Sequence, residues 1–203
     1  MTTTIYKLTN QNVQTRGGFQ WALAEWREAN GKGGLCSDGM LHCYSHPLLA
    51  VLLNPIHANI KRPRLFEGEG EGEMLDDRGL KQGFKRMRIT KELPLPVVTT
   101  EQRVKFAILC ALEVYREDSF VAWAKAWLDG SDRSARAATR AAADAAADAA
   151  CAARAARAAD AAAAYAVYAA ANAANAAADA ARAVAREGKT LDLIAIALKA
   201  MEE

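Results

Sequence analysis

Cys36, His42, Cys43 and His46, with His57 downstream, are the densest group of potential metal ligands in the chain. A structural zinc site brings four thiolate or imidazole donors to one tetrahedral point. The spacing here has no Cys-x-x-Cys pair, and Pro47 keeps His42 and His46 from sharing one helix. On a strand, His42 and Cys43 would face opposite sides. Cys36, His42, Cys43 and His46 therefore stand as metal candidates that their spacing does not favour. A Cys43 nucleophile using the adjacent His42 as its base meets the same objection. Glu67, Glu69, Glu71, Glu73, Asp76 and Asp77 put six carboxylates in eleven residues. Hard cations take such oxygens, but alternating Gly-Glu has no calcium-loop pattern, so solvated hairpin charge is expected. Lys81, Lys85, Arg86, Arg88 and Lys91 follow and can pair across the hairpin, or grip an acidic partner or phosphate. Among aromatics, Trp21 and Trp26 are candidate anchors for a partner if partly exposed, although core is the expected place for both. Trp123 and Trp127, four apart, belong in a helical core. Tyr165 and Tyr168 either anchor a protein contact or fill a gap. The binding candidates are thus Trp21, Trp26, His42, Tyr44, Lys85, Arg86 and Arg88.

These residues need elements to hold them. Thr4 to Leu8 is β-prone. Phe19 to Trp26 fits a strand or a short helix, and its spacing does not separate the two. Met40 to Tyr44 reads as a strand and His46 to Leu53 as a helix opened by Pro47. Arg64 to Glu69 and Phe84 to Leu93 read as paired strands, with GEGEGEMLDDRG between them as a flexible acidic tip. After Pro94 and Pro96 the period changes to helical. Thr99 and Gln102 form a capping-box signature for a helix to about Arg116, with Val104, Ala107, Ile108, Ala111 and Leu112 on one face. Asp118 or Ser119 caps a second helix that Gly130 ends. Ser131 or Asp132 starts an alanine-rich run that Gly188 stops, and Thr190 caps a last helix, Leu191 to Met201.

From Ser131 to Glu187 the chain is about 60% alanine, without glycine or proline. Alanine has the highest helix propensity, so this run is helical. Its methyls bury little area each and carry no chemistry, so it reads as scaffold. Asn172, Asn175, Asp179, Arg182 and Arg186 mark one narrow stripe. From Asp148 to Asp160 the polar positions instead step by three. One straight helix would run about 85 Å, so a kink or reversal is expected near Asp160 to Ala164. Wide alanine faces allow close helix approach, in a bundle or a homodimer. The fold class is therefore α+β: a small strand-rich N-terminal domain, residues 1–96, then an all-helical, alanine-rich bundle, residues 97–203.

The chain has 203 residues, 52% apolar and 25% charged, with a net charge of +2. That composition is globular and leaves nucleic acid unsupported as a partner. No basic-then-apolar leader opens the sequence, and no window reaches the apolar length of a membrane span. The scattered cysteines, Cys36, Cys43, Cys110 and Cys151, then read as reduced thiols in a bacterial cytoplasm. No cofactor is implied.

The order IYKLT, FQWALAEW, GLCSDGMLHCYSHPLLAVL, LDDRG, TTEQRVKFAILCALEVY and an alanine-rich tail resembles a family of uncharacterised phage and actinobacterial proteins. That family carries a "GEW" run, a Gly-x-His turn and an Asp-Asp-Lys turn before the same helical module. Here Ala24 replaces the glycine, Met40 and Leu41 separate Gly39 from His42, and Arg78 replaces the lysine. The resemblance implies a phage or prophage setting and no particular activity. Three functions are carried forward. The leading one is a non-enzymatic protein-binding module, such as an anti-CRISPR-type inhibitor of a host defence complex. The second is a nucleotide or small-molecule binder, because Met40 to Leu53 with His42, Tyr44 and Arg16 looks like a degenerate ADP-ribosyltransferase fold without its distal glutamate. The third is a structural or assembly protein.

Overall fold

A computed structural model describes residues 1–144, 150–162 and 165–202. The chain divides into two units, Met1–Val97 and Val98–Glu203.

The first unit is built on an antiparallel five-stranded sheet. β1 (Thr2–Thr9) pairs with β4 (Arg64–Asp76), and β4 with β5 (Gln82–Leu93). On the other edge of β5 lie two short strands, β2 (Arg27–Glu28) opposite Arg86 and Met87, and β3 (Leu41–Cys43) opposite Gln82 to Phe84. Just past β3, Tyr44 exchanges both backbone hydrogen bonds with Tyr6 of β1, each 2.9 Å. The sheet thus curls until its edges meet, as a small barrel closes. Its core is Ile5, Trp21, Leu41, Cys43, Phe66, Phe84, Met87 and Ile89. α1 (Pro47–Leu53) follows, with Pro47 in its first turn and the His46 ring accepting from the Leu48 amide at 3.2 Å.

The acidic segment is strand, not a flexible tip. β4 runs through Asp76, and the hairpin closes only at Asp77 to Leu80, where Arg78 and Gly79 have φ of +55° and +77°. Two central residues with positive φ match the turn that suits the twist of paired strands. Gly68 and Gly70 are buried, and a Cβ on Gly70 would lie 2.5 Å from the Phe84 ring. The intervening glutamates face the basic residues of β5, Glu67 opposite Lys91, Glu69 opposite Arg88 and Glu71 opposite Arg86. Phe19 to Trp26 is neither strand nor helix. It is an irregular segment pinned by isolated bridges, Gln20 to Gln14 and Leu23 to Ile89.

The second unit is helical. Thr99 and Gln102 form the full capping box of α2 (Thr100–Leu112). This helix buries Phe106, Leu109 and Cys110 as well as Val104, Ala107, Ile108 and Ala111. From Phe106 to Leu112 it is continuously apolar, as suits a helix on which α3 (Asp118–Leu128), α5 (Ala150–Ala162), α6 (Ala166–Arg186) and α7 (Leu193–Met201) all pack. The alanine run is therefore not one rod: α4 (Ala135–Asp144) packs on α5, and α5 on α6. Residues 145–149 and 163–164, where parts of the three-residue stepping and of the expected reversal fall, lie outside the described residues, as does the Cys151 side chain. Three caps differ from expectation by a few residues: Glu117 caps α3, Ser134 accepts from the Ala137 amide at the start of α4, and Asp192 rather than Thr190 caps α7. Trp123 and Trp127 are buried.

Candidate functional site

Alternation along β1 puts Ile5, Lys7 and Thr9 on one face, and that face is buried. Lys7 is 7% exposed. Its ammonium donates to the His42 carbonyl oxygen and lies 4.9 Å from the centre of the Trp21 ring. No carboxylate pairs with it among the described residues. Burial pulls its pKa down to about 8, partly offset by the neighbouring Cys43 sulfur.

Lys7 lines a cleft of about 1140 Å³ in the first unit. Arg16, from the turn at Gly17 and Gly18, Lys61, from the segment after α1, and Lys81, from the β4–β5 turn, share the lining. None of these cations forms an ion pair among the described residues, and Asp38 is the cleft's single carboxylate. His42 and Tyr44, read from the sequence as binding candidates, lie in this wall. The His42 Nε2 bonds the Leu35 carbonyl oxygen. Burial lowers the His42 pKa, against the Leu35 hydrogen bond that raises it, and the charges of Lys7 and Lys81 lower it further. The imidazole is thus neutral at pH 7. The Tyr44 hydroxyl and His57 Nδ1 are hydrogen-bonded at 3.1 Å and the two rings stack 5.7 Å apart, while burial raises the phenol pKa.

The metal candidates do not converge. His46 spends its Nδ1 on the cap of α1, and the Cys43 thiol donates to the Gln82 carbonyl oxygen at 3.7 Å. Cys36 is exposed, 3.3 Å from the Lys81 ammonium. Among the described residues no three His, Cys, Asp or Glu side chains gather as a metal would need. Burial pushes the Cys43 thiol up to about 12, so it is protonated and a poor nucleophile.

Trp21 is 2% exposed, with its indole N–H donating to the Thr15 hydroxyl at 3.1 Å. It is core, as expected, and not an exposed anchor. Trp26 is half-buried on the other side of the sheet, its ring flanked by the guanidinium groups of Arg86 at 4.6 Å and Arg88 at 4.7 Å. Both arginines are held in ion pairs, Arg86 with Glu71 and Glu28 and Arg88 with Glu69. Lys85 is exposed beside them. The charges of Arg86 and Arg88 on this sheet face are thus paired with carboxylates of the same unit. The residue that sequence reasoning missed is Lys7: the strand carries apolar residues in both phases, Ile5 in one and Tyr6 and Leu8 in the other, so its pattern did not mark Lys7 for burial.

The first unit is thus a curled antiparallel α+β domain around a cationic cleft. Residues 3–101 match a family described as a domain of unknown function, DUF7666; the match takes in this unit and the first residues of α2. No curated protein and no solved structure matches the chain. No helix among the described residues is long and apolar enough to cross a membrane.

Proposed function

We propose that the N-terminal unit is a non-catalytic binding domain whose cleft takes a small anionic ligand, a phosphate-bearing nucleotide or a molecule of similar size and charge. One observation carries this reading: a buried lysine without a carboxylate partner sits in a cleft with three further cations and one carboxylate. An uncompensated buried charge costs stability, and an anion entering the cleft offsets that cost. The volume suits a nucleotide. A protonated Cys43 and a neutral, backbone-bonded His42 favour binding over catalysis. Thermal-shift measurements on the full chain with nucleoside mono- and diphosphates, cyclic nucleotides and inorganic phosphate test it. Stabilisation that grows with ligand concentration and fades with added salt is expected. The absence of a shift with every anion at low salt overturns it.

A second reading, protein recognition, is favoured by Tyr165 and Tyr168, which are 64% and 65% exposed and touch edge to face at 5.7 Å. In the phage setting that the resemblance implies, the partner would be a host defence complex. Capture of a bacterial protein by the wild type but not by Tyr165→Ala with Tyr168→Ala supports this reading, and equal capture by both removes it. The alanine-rich helices are a weaker candidate for a homodimer seam, because Ala169, Ala173, Ala176, Ala177 and Ala180 are already covered within the single chain.

A further inference from the structure

We infer that the Lys7 ε-amine is a covalent capture point, condensing with an aldehyde or ketone carried by the small anion that the cleft binds. The inference rests on the cleft reading and narrows its ligand to an anionic carbonyl compound. An exposed lysine is almost wholly ammonium at neutral pH, and its lone pair is not free to attack carbon. Lysines become carbonyl-reactive when they are taken out of water without a counter-ion. Lys7 meets both conditions: it is buried, and its polar neighbour is a backbone carbonyl, which accepts a hydrogen bond from either the ammonium or the amine. Its strand position opposite Phe66 fixes the stem, and the Trp21 ring closes one side. Lys61 is exposed and Lys81 partly so, and with Arg16 they supply charge for the anionic group while Lys7 supplies the nucleophile. The adjacent Cys43 does not compete, because its thiol is protonated.

The step balances without an oxidant or reductant. The nitrogen lone pair attacks the carbonyl carbon, the C=O π pair moves to oxygen, and a proton passes from nitrogen to that oxygen to give a carbinolamine. Loss of one water leaves the C=N bond of an imine.

The test uses the full-length protein and pyridoxal 5′-phosphate as an anionic aldehyde probe, followed by borohydride reduction and peptide mass spectrometry. The expected result is labelling of the Lys7 peptide more than about tenfold above that of any exposed lysine, because a lowered pKa leaves far more free amine. Excess inorganic phosphate should suppress it, and Lys7→Arg should abolish it with the circular dichroism spectrum retained. Labelling spread over Lys61, Lys81 and Lys85 in wild-type protein overturns the inference, whatever the variant does. Pyridoxine 5′-phosphate, which has the phosphate but no carbonyl, separates the two claims. If it stabilises the protein while the aldehyde leaves Lys7 unlabelled, the cleft reading stands and covalent capture falls. If neither compound stabilises the protein and Lys7 is unlabelled, both fall.

Discussion

Lys7 holds a charge where the fold offers it one carbonyl oxygen and an aromatic face. Its pKa falls from 10.5 to about 8 on folding, so at neutral pH the folded state pays to keep the proton. By linkage this penalty, about 3 kcal/mol, is fully present below pH 8 and is relieved as pH rises from about 8 towards 10.5, because there the unfolded chain binds the extra proton. Cys43 acts oppositely: with its pKa raised from 9.0 to about 12, its contribution is lost as pH climbs through that interval. Wild-type stability should therefore rise between about pH 8 and 9 and flatten beyond. Lys7→Met should be more stable than wild type at pH 7 and lack the rise, as read by urea unfolding at pH 7, 8 and 9. An unchanged pH slope in the variant would show that Lys7 is not the titrating group. Ala24 is a second residue under tension. It has φ of +63°, in the left-handed region that favours glycine. Ala24→Gly should stabilise by about 1 kcal/mol. A destabilisation in urea would contradict that backbone geometry.

Among elements, β4 separates what was legible in the sequence from what was not. Its Gly-Glu alternation looks like loop composition, since glycine weakens isolated strands. It is nevertheless period two, and β5 brings Arg86, Arg88 and Lys91 opposite the glutamates. The signal lay in the pair of segments rather than in either alone. Glycine is required because the buried face has no room: a Cβ on Gly68 would overlap the Arg88 carbonyl oxygen, which is backbone and cannot rotate away. Gly68→Ala should cost roughly 2 kcal/mol or more, while Glu67→Gln on the solvent face should stay within about 0.5 kcal/mol of wild type. Equal urea midpoints for the two variants would refute the close approach. Helix α2 was readable to its first residue because a capping box is local. The cap of α7 was not, since Thr190 and Asp192 both qualify and tertiary packing selects between them.

For the whole molecule, the sequence disclosed α+β class and an alanine scaffold, because composition and period survive without knowledge of contacts. It could not disclose that the scaffold's alanines are consumed around α2, or that the sheet curls far enough for Tyr6 to reach Tyr44. That closure places β3 next to β1 and so brings Lys7 to the His42 carbonyl, a juxtaposition 35 residues apart in sequence. The cleft follows from the same closure, gathering Arg16, Lys61 and Lys81 from three separate connections. Hence His42 and Tyr44 could be singled out from their types, while the cation set around them could not. Anion binding in that cleft is what would join these residues in one function. The most direct measurement is a calorimetric titration of the full chain with the best nucleotide, comparing wild type with Lys81→Glu and Arg16→Glu. Saturable heat in wild type that weakens about tenfold or more in each charge reversal is the predicted result. Undiminished binding in both folded variants, or no binding by any of the three, would contradict it.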